Sequence, residues 1–466
     1  MTQTAITMQR GDLALARLRT LLAGRVLTPA EVGYEPARRL WNGMVDKHPA
    51  AIARCRSADD VAAVIACARD TGLPLAVRAG GHSIAGASSC DGGLVIDLTA
   101  MKRIEVDPVR CIARAEPGLL LGEFDAATQA HGLATTMGVN SDTGIAGLTL
   151  GGGLGRLGRS RGLACDNLLA AEVVLADGRI LRVSEDENPD LLWGLRGGGG
   201  NFGVVTAFEY QLHPLGPQVL GGMLIWDWAL APAALRHYAA FCDTAPDAVD
   251  ALGVLLTGPD GAPCFAVSAF HAGPLKEAAE ALRPLRQGGP LPAQDLVAPM
   301  SYVALQASAD GLFPRGRRYY WKSHFLPGLD AGGIDALLDR FARVPSPMSV
   351  VGLQQTNGAI ARVSATATAY ANRDAAFDCI PIAIWEDPAQ DAANIAWTRG
   401  VWEAMTPFAT GGVYVNNLGD EGEERIRAAY GANHARLAAL KATYDPGNLF
   451  RLNQNIRPVG CGKNAC

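Results

Sequence analysis

The stretch Pro74-Leu-Ala-Val-Arg-Ala-Gly-Gly-His-Ser83 sets a short apolar run directly against a glycine pair and a histidine. A short apolar run bounded by turn residues reads as a buried strand, and the glycines after it let backbone turn sharply or approach another group closely. Upstream, Ser57-Ala-Asp-Asp60 before Val61, Val64, Ile65 and Ala68 predicts an N-capped amphipathic helix ended by Gly72. Downstream, Leu94–Leu98 reads as a second buried strand. Hairpins are predicted where Asp107-Pro-Val-Arg110 separates Ile104–Val106 from Cys111–Ala115, and where Ala176-Asp-Gly-Arg179 separates Ala170–Leu175 from Ile180–Val183. Helices over Leu119–His131 and from Asn188-Pro189 to the glycines at 197–200, then a strand over Val204–Leu212, complete an α+β region over roughly 45–215. It is too irregular for a doubly wound sheet.

Past residue 216 the strands lengthen, as in Gly221–Trp228, Leu252–Leu256, Cys264–Phe270, Met348–Gln355, Ala359–Val363 and Cys379–Trp385. Asp260-Gly261 and Asn357-Gly358 mark hairpins, so this sheet should be mostly antiparallel, with helices over Lys276–Gln287 and Ile334–Val344 covering one face. Residues 421–443 read as helical, and Tyr444-Asp-Pro-Gly447 ends them. Length supports this division, since 466 residues suggest two or three domains.

Charge and composition narrow the function. Lys and Arg number 41 against 46 Asp and Glu, which leaves no basic footprint for nucleic acid or anionic lipid. Met1–Arg25 lacks the pattern of a secretory signal, and no apolar run is long enough to span a membrane, so a cytoplasmic protein is expected. The ten cysteines form no C-x-x-C pair and read as mostly buried reduced thiols, with Cys461 and Cys466 in a polar tail.

The 54 glycines gather in short clusters between apolar runs. Gly153-Leu-Gly-Arg-Leu-Gly158 and Gly198-Gly-Gly-Asn-Phe-Gly203 both fit G-x-G-x-x-G, yet the second runs into a strand and the first lacks a following βαβ unit with a terminal acid, so a Rossmann site is disfavoured. Tight turns alone would explain isolated glycines. Three clusters in one region point instead to loops whose exposed amides wrap a dinucleotide pyrophosphate. Gly81-His-Ser-Ile-Ala85 fails the last position of a nucleophile elbow, and no metal-ligand spacing appears among the eight histidines.

Four stretches in order, Pro74–His82, Thr143-Gly-Ile-Ala-Gly-Leu-Thr-Leu-Gly-Gly-Gly153, Arg196-Gly-Gly-Gly-Gly-Asn-Phe-Gly-Val-Val205 and Tyr444-Asp-Pro-Gly-Asn-Leu-Phe-Arg-Leu-Asn-Gln-Asn-Ile456, resemble the signatures of berberine bridge enzyme-like FAD-linked oxidases. These are flavoproteins of the vanillyl-alcohol oxidase type, and the likeness is strongest to the bacterial branch of 6-hydroxy-D-nicotine oxidase-like proteins. The resemblance covers about 40–458 and implies a two-domain α+β flavoprotein. Residues 1–215 would begin the FAD-binding domain, 216–417 would form the substrate domain, and 418–466 would return to the first.

The resemblance also implies roles. The loop Arg78–Ser83 would wrap the FAD pyrophosphate, with Gly80 and Gly81 allowing close approach, and His82 would bond covalently to the 8α carbon of the flavin. Bicovalent relatives carry a cysteine where this chain reads Asn140-Ser141, so a single link is expected. Ser141, Thr143, Gly144, Gly147, Asn201, Gly203 and Val205 would be further FAD contacts, with Tyr414-Val-Asn416 and Asn453-Gln-Asn455 at the far wall of the ring. The implied reaction takes a hydride from a C–H next to oxygen or nitrogen of a small organic substrate to flavin N5, with reoxidation by dioxygen. Asn417 stands where many relatives place an aromatic or histidine and cannot act as a base, so Tyr414 is the first candidate base or a positioning hydroxyl. Tyr319, Tyr320 and Lys322 follow as weaker candidates. Asp420–Arg425 reads as a solvated charged run. A dehydrogenase using another acceptor, and a flavin-binding protein without turnover, stay open. Trp226, Trp228, Tyr302, Phe313 and Tyr370 offer apolar and aromatic surface for a ligand without selecting one.

Overall fold

The helix expected from Ser57 forms as α1 (Ala58–Thr71): the Asp60 amide donates to Ser57 Oγ, and Gly72 closes the helix at φ 72°. The computed structural model describes residues 15–22 and 25–460, so Cys461, Cys466 and most of Met1–Arg25 lie outside it. Val61, Val64 and Ile65 pack on Leu94 and Ile96 of a small sheet, β1 (Val26–Leu27), β2 (Ala51–Arg54), β3 (Leu75–Arg78) and β4 (Leu94–Asp97). Its order is β1-β2-β4-β3, with β2 and β3 parallel to β4. The decisive stretch therefore leaves its strand at Arg78 and enters the Gly80-Gly81-His82 loop at the carboxyl edge of that sheet.

A second sheet is antiparallel, built from β5 (Ile104–Asp107), β6 (Ile112–Ala115), β7 (Leu168–Val174), β8 (Ile180–Ser184) and β9 (Val204–Gln211) in the order β5-β6-β9-β7-β8. Both expected hairpins are present. Its core takes in α2 (Leu121–Gln129), α3 (Ile145–Leu150) and α4 (Pro189–Leu195).

The third sheet is antiparallel and larger: β10 (Gln218–Asp227), β11 (Val249–Thr257), β12 (Pro263–His271), β13 (Arg318–Trp321), β14 (His324–Leu326), β15 (Val350–Gln355) and β16 (Phe377–Trp385). Leu224, Val267, Leu255 and Leu353 point into a core closed by α5 (Ala231–Thr244), α6 (Leu275–Gln287), α8 (Ala331–Phe341) and α9 (Asp391–Met405). The other face turns toward the first part of the chain, where the short α7 (Tyr302–Gln306) also packs: Arg156 donates to Ser268 Oγ at 3.0 Å, and Leu157 joins Phe270, Tyr302 and Leu305 in one cluster.

Two sequence expectations are corrected. Ala359–Val363 is not a strand, and Asn357-Gly358 does not turn a hairpin: Ala359–Arg362 is a short helix, and β15 pairs with β16 instead. Asn357 Oδ1 accepts from Arg159 Nε at 2.7 Å, so the turn-forming side chain is engaged elsewhere. Residues 421–443 are two helices, α10 (Glu423–Tyr430) and α11 (His434–Tyr444), broken at Gly431. These helices pack Tyr430, Leu437 and Leu440 against Trp193, Phe202 and Phe208. The buried Lys441 ammonium donates to Asn201 O at 2.7 Å, Phe450 O at 2.9 Å and Asp445 Oδ2 at 2.6 Å. No helix of the described residues is long and apolar enough to cross a membrane.

Candidate functional site

Two glycine loops meet at the carboxyl edge of the parallel sheet. A Cβ on Gly80 would lie 2.4 Å from the Gly144 nitrogen, and one on Gly144 would lie 2.5 Å from the Gly80 nitrogen, so only glycine permits the crossing. Arg78 is buried and bonds Asp97 Oδ2 at 2.6 Å and the Ala37 carbonyl, tying the loop's root to β4. Gly80, Gly81, Asp97, Lys102, Asp142 and Arg315 are among the residues lining one cleft, as are Arg39 and Arg54. Its excess of cationic groups beside exposed loop backbone suits a pyrophosphate.

His82 follows Gly81 of this cleft in the chain, with 16% of its side chain exposed. Its ring stacks on Trp41 at 4.7 Å between centroids, and Trp41 stacks on Tyr319 at 3.7 Å. Its Nε2 lies 3.4 Å from Asp142 Oδ2 and makes no hydrogen bond. Burial lowers the imidazole pKa despite the Asp142 carboxylate beside it. Asp142 is itself held by Arg315 Nε at 2.8 Å, and Arg315 also donates to the Gly80 carbonyl at 2.7 Å. Burial pushes Asp142 up, but His82 and Arg315 outweigh it and keep the carboxyl below its ordinary value.

The Tyr414-Val-Asn416-Asn417 segment packs on the Gly151–Leu154 turn. The Tyr414 hydroxyl oxygen accepts from the Gly153 amide at 2.9 Å, the Leu154 amide at 3.4 Å and Asn416 Nδ2 at 2.8 Å. Burial pushes its pKa up to about 12. Tyr370 stands edge-on to Tyr414 at 6.2 Å with its own hydroxyl unpartnered. Asn417 Nδ2 donates at 2.7 Å to Asp378 Oδ2 on β16. Asp378 is 1% exposed, its Oδ1 has no partner, and burial pushes the carboxyl up to about 7 against the pull of Ser323 and Asn417.

The remaining sequence candidates divide by what their groups touch. Ser83 Oγ accepts from the Ala87 amide at 3.1 Å, and Ser141 donates to Asp310. Thr143 receives no side-chain partner, while its carbonyl accepts from Leu121 at 2.8 Å. A Cβ on Gly147 would meet nothing within 4 Å. Asn201 is consumed in holding the chain end, donating to Gly198 O at 2.9 Å and accepting from Ile456 at 3.0 Å. Gly203 and Val205 lie in packing positions, since a Cβ on Gly203 would strike Val173 at 2.6 Å and Val205 is core. Asn453 and Asn455 keep unpartnered, buried Oδ1 atoms. Tyr319 is buried in the Trp41 stack, whereas Tyr320 receives Arg399 at 3.2 Å away from it. Glu421 departs from the expected solvated run: it is 11% exposed and paired with Lys322 and, at 3.7 Å, with Arg425.

Sequence reasoning missed Asp142, Arg315, Trp41 and Asp378. For Asp378 a signal existed, a lone acid inside Phe377-Asp-Cys-Ile-Pro-Ile-Ala-Ile-Trp385.

Crossed glycine loops, a basic cleft and orphaned amide oxygens of Asn453 and Asn455 fit a flavin dinucleotide, and the fold and site together define a two-domain FAD-binding oxidoreductase. A FAD binding domain profile matches residues 49–184, and a berberine and berberine-like profile matches 413–457. The chain is 33% identical to (R)-6-hydroxynicotine oxidase of Paenarthrobacter nicotinovorans over 94% of this chain and 98% of that one. It superposes on the crystal structure of 6-hydroxy-D-nicotine oxidase from Arthrobacter nicotinovorans with a TM-score of 0.83 and 30% identity, covering 92% and 97% of the two chains. Chitooligosaccharide oxidase gives a TM-score of 0.86 at 25% identity, over 96% and 99%. The chain belongs to the berberine bridge enzyme-like family of FAD-linked oxidoreductases.

Proposed function

We propose that the protein is a covalent FAD-dependent oxidase in which Asp378 is the base. The bound cofactor would supply a hydride acceptor at N5 and a centre that passes electrons to dioxygen. Arg78–Ser83 and Ser141–Gly144 would hold the pyrophosphate, His82 would carry the single covalent link, and Asn416, Asn453 and Asn455 would bond the ring edge. Asp378 would take the proton from the substrate's hydroxyl or amine as the neighbouring C–H bond breaks. Asn417 steadies that carboxylate, and Tyr414, already accepting three hydrogen bonds, positions the wall rather than taking a proton. The observation that carries this reading is the buried Asp378 carboxyl, held near neutrality with one oxygen free.

The sheet face beside Asp378 supports a small apolar or aromatic substrate over a sugar. Ile225, Ala266, Val254, Gly352 and Ile380 form one cross-strand row on it, and Ile225, Val254 and Ile380 are half-buried with no hydrogen-bonding group among the five side chains. Eight described cysteines are free, which fits a reducing, cytoplasmic setting. The FAD-binding part would comprise 1–215 and 418–466 and the substrate part 216–417.

The test is anaerobic mixing of the yellow protein with a panel of amines and alcohols, following loss of flavin absorption. The rate for a reactive substrate should rise with pH through about 7 as Asp378 ionises. Asp378→Asn should slow it roughly 10²–10⁴-fold. An unchanged rate in Asp378→Asn would remove Asp378 as base, and bleaching with peroxide-free turnover in air would replace the oxidase reading by a dehydrogenase.

A further inference from the structure

Resting on the reading of His82 as the flavin-bearing residue, we infer that Asp142 is the positioning base that makes His82 nucleophilic during cofactor attachment, directing the new bond to Nδ1. The argument is geometric. Asp142 Oδ2 stands 3.4 Å from Nε2, which makes no hydrogen bond of its own, so the carboxylate favours the proton on that nitrogen and leaves the lone pair on Nδ1. Trp41 covers one ring face and Tyr319 backs Trp41, which fixes the imidazole plane. Arg315 bonds Asp142 Oδ2 at 2.8 Å and the Gly80 carbonyl at 2.7 Å, so it ties the carboxylate to the same loop that carries the histidine. This is the carboxylate–histidine arrangement that sets tautomer and orientation in nucleophilic catalysis, here built around a residue whose target is the cofactor.

The chemistry balances with dioxygen as oxidant. The 8α methyl group loses one proton to solvent, Nδ1 forms the bond to that carbon, and Asp142 takes the Nε2 proton. Two electrons stay on the ring system, and dioxygen then removes them with two protons as hydrogen peroxide. Net, one C–H and one N–H bond become one C–N bond.

The experiment compares wild type, His82→Ala, Asp142→Asn and Asp142→Glu purified from flavin-replete cells. Total bound flavin is read by absorbance, acid-stable flavin by fluorescence on a denaturing gel, and fold by circular dichroism. Asp142→Asn should bind FAD yet acquire the covalent link roughly 10²-fold more slowly. Asp142→Glu should recover it, and NMR of the flavin peptide from wild type should place carbon on Nδ1. A fully linked Asp142→Asn protein, or a wild-type bond at Nε2, overturns the inference alone. Folded Asp142→Asn and Asp142→Glu proteins that both lack flavin altogether also overturn it, by making Asp142 a binding residue. Wild type that holds FAD without any covalent link overturns the His82 reading itself.

Discussion

Asp378 and Asn417 act as a pair that neither residue type announces alone. Asn417 looks in sequence like the loss of a base; in the fold its amide donates to the buried carboxyl and holds down a pKa that burial would otherwise push higher. Asn417→Ala should therefore move the acid limb of the rate profile above the wild-type value of about 7, as measured by stopped-flow reduction across pH. His82→Ala should yield protein whose yellow colour washes out on acid precipitation, while wild type keeps it. His82 stands out in the sequence because a histidine inside a glycine loop has no apolar face to serve. Asp142 and Asp378 were not, since what singles them out is burial and partners far away in sequence, Arg315 for one and Asn417 for the other.

At the level of elements, local signals were read well where the partner strand is adjacent. The Asp177-Gly178 turn joins β7 to β8, and Asp260-Gly261 joins β11 to β12. Asn357-Gly358 carries the same signal, but β15 finds β16 across an intervening helix and loop, and non-local pairing overrides the turn. The crossing of the Gly80 and Gly144 loops was equally hidden, because each glycine's necessity lies in the other's backbone. Gly80→Ala should cost about 1–3 kcal/mol of overpacking. Its expected readout is a lowered melting temperature together with reduced flavin content in the purified protein.

At the scale of the molecule, the two parts are joined by buried polar contacts as well as apolar ones. Gln306 Nε2 donates at 3.1 Å to Asp125 Oδ2 on α2, and Arg156 stands 3.8 Å from Asp250, all of them buried. Burial pushes Asp125 up from 3.8 to about 7, with Gln306 opposing. A carboxyl with a raised folded pKa favours the fold most below its unfolded pKa, and that contribution is lost as pH rises toward about 7. Asp125→Asn should thus melt higher than wild type at pH 8, with the difference shrinking toward pH 4, as followed by thermal denaturation. The two-domain α+β plan was visible from the change in strand length near residue 216. The side of the large sheet that faces the cofactor region was not, since alternation alone does not say which face meets helices.

Lys441 reaches back to the carbonyl of Asn201, and Phe450 lies in the same core as Leu94 and Ile96. On the ribosome, the first sheets therefore wait for about 250 further residues before their last core side chain and buried ammonium arrive, roughly 12–50 s at ordinary elongation rates. During that interval the nascent amino-terminal half exposes unfilled apolar surface. Asn453, whose amide donates to the Gly200 carbonyl, arrives with the same late segment, so the carboxy-terminal groups proposed to meet the flavin ring are in place only when synthesis is nearly over.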